Sequence, residues 1–330
     1  MEESVNSENV SALQEDINLL NQRVIKIRHE IGKVIVGQEK IIDLLMAGIF
    51  TGGHILLEGV PGIAKTLTAK LVARSLSIGF SRIQFTPDLM PTDVMGTTVF
   101  NVKTSEFTFN KGPVFSNLVL IDEINRAPAK TQSSLFEVME ERQITIDGTT
   151  YPMDFPFLVI ATQNPIEQEG TYKLPEAQLD RFLFRLKLTY PTAQQELAIL
   201  KRFRDDFSHR VMDTVQAVIG KDELRHCQEL IEKIHIKDEI LEYIARLIDN
   251  TRNNGDLLLG ASPRASLAIM RASKAIAVMN GRDFVTPDDV KFVAYPVLNH
   301  RIILTAEREM EGVEAEDVIK EIAERVEVPR

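Results

Sequence analysis

From Leu13 to Ile31 the apolar residues Leu13, Ile17, Leu20, Val24, Ile27 and Ile31 fall four and three positions apart, on one stripe of a helix. A stripe this short predicts packing against the chain's own body rather than a sustained coiled coil. Between residues 54 and 190 the pattern changes. Short apolar runs, HILLE, RIQF, LVLID, FLVIAT and FLFRLKL, alternate with helical stretches such as ARSLS and residues 130–141. Strands without polar alternation are buried on both faces, which predicts a parallel sheet covered by helices. Two segments interrupt it as hairpins. One is TTVFNVKTSEFTF, residues 97–109; the other is QITIDGTTYPM, residues 143–153, where Asp147-Gly148 supplies a two-residue turn.

After Tyr190-Pro191 helical periodicity runs almost to the end of the sequence. Within it Ser262 suits an N-cap, Pro263 the first helical position and Gly281 the C-terminal stop. Thr286-Pro287, followed by two acids, repeats the pattern. The expected architecture is an α/β domain followed by a helical one.

Composition narrows this picture without naming a chemistry. The 330 residues are 44% apolar, enough for a sizeable core, and Cys227, the single cysteine, excludes an internal disulfide framework. It is expected to be a buried, inert thiol in a reducing compartment. MEESVNSENV is acidic and polar, unlike a secretory signal, and no apolar run reaches membrane-spanning length, so a cytoplasmic protein without membrane insertion is expected. A net charge of −10 gives no general attraction to nucleic acid. The histidines show no pair at helical metal spacing, and Met270 and Met279 fall within helical periodicity as core residues.

The chemistry is concentrated in GVPGIAKT, residues 59–66, set between the strand HILLE and the helical TLTAKLVARSL. The generic phosphate loop is G-x-x-x-x-G-K-[ST]. Here Gly59, Lys65 and Thr66 fit, and Ala64 replaces the last glycine. Backbone N–H groups must converge on phosphate, a lysine must reach the β and γ oxygens, and a hydroxyl must meet Mg²⁺. Ala64 supplies the same N–H, and its methyl is tolerated if it takes right-handed helical dihedrals.

Downstream, LVLIDE ends a buried-looking strand in Asp122 and Glu123, acids that need compensation there. Asp122 suits the Mg²⁺ shell and Glu123 the attacking water. FLVIATQNP ends in Asn164, whose amide could hold that water or the γ-phosphate, although Asn-Pro alone is a turn signal. LPEAQLDRF carries Arg181, which suits either a neighbour's nucleotide in trans or an ion pair with Asp180 or Glu176. Arg264 adds positive charge to the already positive helix start after Ser262-Pro263, a conflict that an anion would resolve.

Taken together, GVPGIAKT, TPDLMPTDVMGT, DEINRAPAKTQSSLFEVMEERQ, ATQNPIEQEGTY and LPEAQLDRF resemble the MoxR family of AAA+ ATPases, from IVGQEK at 35–40 to GASPRA at 260–265. The resemblance implies a P-loop core with a five-stranded parallel sheet over 32–190, preceded by a helix over 1–31 and followed by an all-α lid over 191–330. It also implies a helix-2 insert near 89–115 and a hairpin before sensor 1 near 143–153. Ala64 matches the family's loop. Lys173 stands where the family has proline, in the loop leading to Arg181.

By the same resemblance, Gly59, Val60, Pro61, Gly62, Ile63, Ala64, Lys65, Thr66 and Leu67 cradle ATP, while Val36, Gly37 and Gln38 run beside adenine. Thr66 and Asp122 hold Mg²⁺. Lys65, Glu123, Asn164 as sensor 1, Arg181 as arginine finger and Arg264 as sensor 2 carry hydrolysis. Such proteins form hexameric rings and act, chaperone-like, with partners bearing von Willebrand factor A domains. A nucleic-acid motor is the competing class, disfavoured because the two hairpins hold one lysine and no arginine. An ATP-regulated scaffold is a third class, opposed by the intact Glu123, Asn164 and Arg181.

Overall fold

The computed structural model describes residues 2–103, 105–165, 170–204 and 213–329, with side chains described from residue 12 onward. The chain opens with α1 (Glu2–Gly32) and α2 (Glu39–Phe50), then β1 (His54–Glu58), α3 (Lys65–Ser75) and β2 (Phe80–Gln84). Next come α4 (Pro91–Met95), the hairpin β3 (Gly96–Asn101) and β4 (Glu106–Lys111), then β5 (Leu118–Asp122) and α5 (Ala129–Glu141). The second hairpin, β6 (Gln143–Ile146) and β7 (Thr149–Pro152), leads to β8 (Leu158–Gln163), α6 (Glu176–Leu179) and β9 (Phe182–Lys187).

The five long strands form one sheet in the order β2-β5-β8-β1-β9, all parallel. Every residue of β1 and β5 is buried. Side chains alternate between faces along a strand. Ile55 and Leu57 of β1 accordingly enter the core under α1, α2 and α3, while Leu56 enters the core over α5. That two-sided burial is the reason the strands read as continuous apolar runs.

The stripe on α1 is spent inside this molecule. Ile17, Leu20, Val24, Ile27 and Ile31 are all buried, and the helix packs on α3 and on α10 (Pro263–Met279). Both hairpins form as expected. In the second, Asp147 and Gly148 have φ of 50° and 78°, the left-handed pair a tight two-residue turn demands.

Beyond β9 lie α7 (Ala193–Phe203), α8 (Lys221–Lys233), α9 (Asp238–Arg252), α10, α11 (Pro287–Leu298), α12 (Ala306–Met310) and α13 (Ala315–Arg325). Among its described residues this helical body contains one short antiparallel ribbon, β10 (Leu257–Leu259) with β11 (Ile303–Leu304), too brief to show a period in the sequence. Cys227 is buried on α8, and desolvation pushes its thiol up to about 12. No helix among the described residues is long and apolar enough to cross a membrane.

His54, at the start of β1, locks three elements together. Its Nδ1 accepts from the Val159 N–H at 3.0 Å, so Nε2 carries the proton and donates to the Met139 carbonyl at 3.0 Å. Burial lowers its pKa from 6.5 to about 4, helped by the charge of Arg142. Because the folded value lies below the unfolded one, the stabilisation is complete above pH 6.5 and is lost as pH falls toward 4. The loss amounts to about 3 kcal/mol. Urea unfolding across that window is expected to show it, and His54→Gln, which cannot titrate, to flatten the corresponding part of the pH profile.

Candidate functional site

A parallel sheet delivers the residues that follow its strands to one rim. Here β1 runs into Gly59, β5 ends in Asp122 with Glu123 next, and β8 leads to Asn164. The loop 59–64 turns from β1 into α3, whose first residues are Lys65 and Thr66. Gly59 is required by space, since a side chain there would approach the Leu188 carbonyl oxygen to 2.9 Å. Gly62 has a φ of +86°, favourable for glycine alone.

Ala64 departs from the expected geometry. Its φ and ψ are 65° and 21°, left-handed rather than right-handed. The bend is completed at Ala64 itself, whose carbonyl then accepts from the Thr68 N–H at 2.8 Å and the Thr68 hydroxyl at 3.0 Å. An alanine there costs about 1 kcal/mol relative to glycine. The two bonds to Thr68 hold the strained residue in place.

Lys65 Nζ bends back to the carbonyls of Gly59 and Val60, closing over the loop. Thr66 Oγ1 lies 3.1 and 3.3 Å from the two carboxylate oxygens of Asp122. Oxygen donors at this spacing suit Mg²⁺, which takes few protein ligands and completes its shell with phosphate and water. The amides turning into α3 and the lysine suit the phosphates themselves. The residues present therefore fit a Mg²⁺-nucleotide.

Glu123 has a φ of 58°, so the chain turns sharply after β5 and sets this side chain apart from that of Asp122. Its N–H donates to Thr162 Oγ1 at 3.0 Å, and its carboxylate accepts from Gln84 Nε2 at 2.8 Å and pairs with Arg126 at 3.0 Å. Asn164 is buried at the end of β8. Asp122, also buried, accepts from Thr162 Oγ1 at 3.2 Å and from Arg82 Nε at 2.6 Å.

Thr162, Gln84 and Arg82 escaped the sequence reading. The signal was available in the pairing: Gln84 lies opposite Asp122 in the β2–β5 register, so Arg82 and Gln84, two apart, share the face that meets the acids.

Beside the loop, a cavity of about 230 Å³ is lined by Val36, Gly37, Gln38, Leu188, Tyr190 and Gln195. Gln38 Nε2 donates to the Ile63 carbonyl at 3.3 Å, tying this segment to the phosphate loop. Gln195 Nε2 reaches the Gly37 carbonyl at 3.3 Å from α7. The space is large enough for a purine.

Arg181 and Arg264 lie elsewhere. Arg181 immediately precedes β9, and Phe182 pairs with His54 at the start of β1, whereas Gly59 follows the end of β1. Five residues of strand put about 15 Å between the two rims. Arg181 and Arg264 instead meet on one carboxylate. Arg264 Nη2 donates to Glu140 Oε1, and Arg181 Nε stands 3.6 Å from Glu140 Oε2.

The sequence-level partners of Arg181, Asp180 and Glu176, are replaced by Glu140 because α5 ends beside it. Asp180 is taken by Arg301, at 2.6 Å, and lies 3.9 Å from Arg264. Ser262 stands at the N-cap position, yet its hydroxyl points to Asp180 Oδ2 at 3.5 Å and makes no cap bond. Arg142, Arg181, Arg264, Arg271 and Arg301 converge on a cavity of about 420 Å³.

Comparison with known proteins agrees with the fold. A profile of the ATPase family associated with various cellular activities (AAA) matches residues 54–184, and one of the AAA lid domain matches 249–322. The chain is 44% identical to the uncharacterized protein YeaC of Bacillus subtilis, covering 96% of this chain and 98% of that one. It is 43% identical to the chaperone MoxR1 of Mycobacterium tuberculosis, over 91% of this chain and 81% of the relative. A crystal structure of a provisionally assigned ATPase from Cytophaga hutchinsonii superposes with a TM-score of 0.89 at 44% identity, covering 98% and 99% of the two chains.

Fold and matches together define an AAA+ core with its helical lid. Within that class the chain belongs to the MoxR family of AAA+ ATPases, one relative of which, MoxR1, is named a chaperone.

Proposed function

We propose that this protein binds ATP with Mg²⁺ and hydrolyses it between neighbouring copies of itself to remodel or activate a protein partner. The observation that carries the reading is the meeting of Lys65, Thr66, Asp122 and Glu123 at one rim of the sheet, with Arg181 and Arg264 paired at the other. Lys65 would bind the β and γ oxygens, and Thr66 and Asp122 would hold Mg²⁺, whose chemistry is to neutralise charge developing on the phosphates. Glu123 would orient the attacking water and take its proton, while Asn164 would hold that water in line. The purine would sit against Val36, Gly37 and Gln38. A closed ring of copies, six by family resemblance, brings the arginine rim of one copy to the phosphate rim of the next.

Lys65→Ala is expected to lose binding of a fluorescent ATP analogue while melting at an unchanged temperature. Undiminished binding would remove the phosphate loop from the proposal. The kind of partner, a protein with a von Willebrand factor A domain, follows from the family resemblance alone. Capture on the Glu123→Gln variant with ATP, followed by mass spectrometry, would identify it, since a chain held in its ATP state retains what that state prefers. Recovery of nucleic acid with its processing factors would favour the motor reading instead.

A further inference from the structure

Asp122 is buried, and a buried carboxylate needs a cation or a full set of donors. It has both. Thr66 and Thr162 serve Oδ1 at 3.1 and 3.2 Å, and the Arg82 guanidinium holds Oδ2 at 2.6 Å. The carboxylate that would help to hold Mg²⁺ therefore already has a positive charge against it. The pair is unequal: the Asp122 side chain is 7% exposed and that of Arg82 47%. Arg82 also sits on β2, the edge strand of the sheet, on its more exposed face. It can return to water at little cost, and Asp122 cannot.

We infer that Arg82 is a resident counter-ion that competes with Mg²⁺ for Asp122 and so sets the Mg²⁺ concentration at which the nucleotide site fills. This rests on the proposed ATP site. A divalent ion beside Thr66 and Asp122 repels a guanidinium a few ångströms away, so each cation weakens the hold of the other. Without Mg²⁺, Arg82 keeps the buried charge paired and Asp122 in place beside Thr66. With Mg²⁺ and nucleotide present, Arg82 is displaced toward solvent, while Gln84, two residues along the same strand face, keeps its bond to Glu123. The arrangement keeps the acid ordered and the empty site closed to the free metal ion.

The test is a titration of Mg²⁺ into the full-length chain with fluorescent ADP, read as the free Mg²⁺ concentration at half-maximal enhancement of nucleotide affinity. Arg82→Gln is expected to lower that midpoint on the order of tenfold, the equilibrium worth of one charge-assisted hydrogen bond. Arg82→Lys, which retains the competing charge, is expected to stay close to wild type. The Lys variant also serves as the folding control for the position, with thermal melts of all three proteins. A midpoint that is unchanged or raised in folded Arg82→Gln overturns the competition. Failure of the wild type to bind ADP at any Mg²⁺ concentration would instead overturn the nucleotide site itself, so the two failures are distinct.

Discussion

Glu123→Gln is expected to bind ATP as well as the wild type and to hydrolyse it about a thousandfold more slowly. The substitution is nearly isosteric and removes the ability to accept a proton together with the charge that pairs with Arg126. The surroundings of Glu123 argue for a base held ready rather than a structural acid. A left-handed backbone turns the residue off the line of β5, and Gln84 and Arg126 hold its carboxylate at 2.8 and 3.0 Å. A helix-capping acid would accept from the backbone of the short turn that follows, and no such cap bond is present at Glu123. Equilibrium binding and single-turnover hydrolysis on the same preparation separate the two effects. Turnover at the wild-type rate would eliminate Glu123 as the base.

The second large effect concerns the other rim. Arg181→Ala is expected to lower ATP turnover about a thousandfold, the usual worth of a cation on the transferring phosphoryl group. The geometry gives this loss a particular signature. About 15 Å of strand separates Arg181 from the phosphate loop of its own chain, so the residue acts on a neighbour's nucleotide or on none. Mixing Arg181→Ala with Lys65→Ala chains, each inactive alone, should restore turnover. In such mixtures an intact loop from the first meets an intact arginine from the second. An inactive mixture, or a fully active Arg181→Ala chain, would place the residue outside the reaction.

Much of this was legible because it depends on local rules. The unbroken apolar character of HILLE and LVLID reports burial on both faces of a parallel sheet, and the sheet formed as such. Asp147-Gly148 turned as its backbone preferences require. The residues at the phosphate rim were readable because Gly59, Asp122, Glu123 and Asn164 lie at or just past strand ends, and parallel strands end together.

What stayed hidden depends on register and on packing between distant segments. Arg82 becomes a partner of Asp122 only once β2 is known to pair with β5. Glu140 becomes the shared anchor of Arg181 and Arg264 only when the end of α5, the start of β9 and the start of α10 meet. The conformation of Ala64 was misjudged for a related reason. Its dihedrals are set by where the loop must complete its bend, not by alanine's own preference.

Strand β9 joins these two rims within six residues. At its far end the Leu188 N–H donates to the Glu58 carbonyl at 2.7 Å, against the root of the phosphate loop, and at its near end stands Arg181. In the proposed ring it is a stiff pushrod, with one tip at the subunit's own nucleotide and the other aimed at the next. Such a rod couples the two nucleotide sites it touches, and the coupling is reciprocal. Each subunit of that ring would then be tied to the neighbour on either side, so that the nucleotide sites fire as coupled units rather than independently.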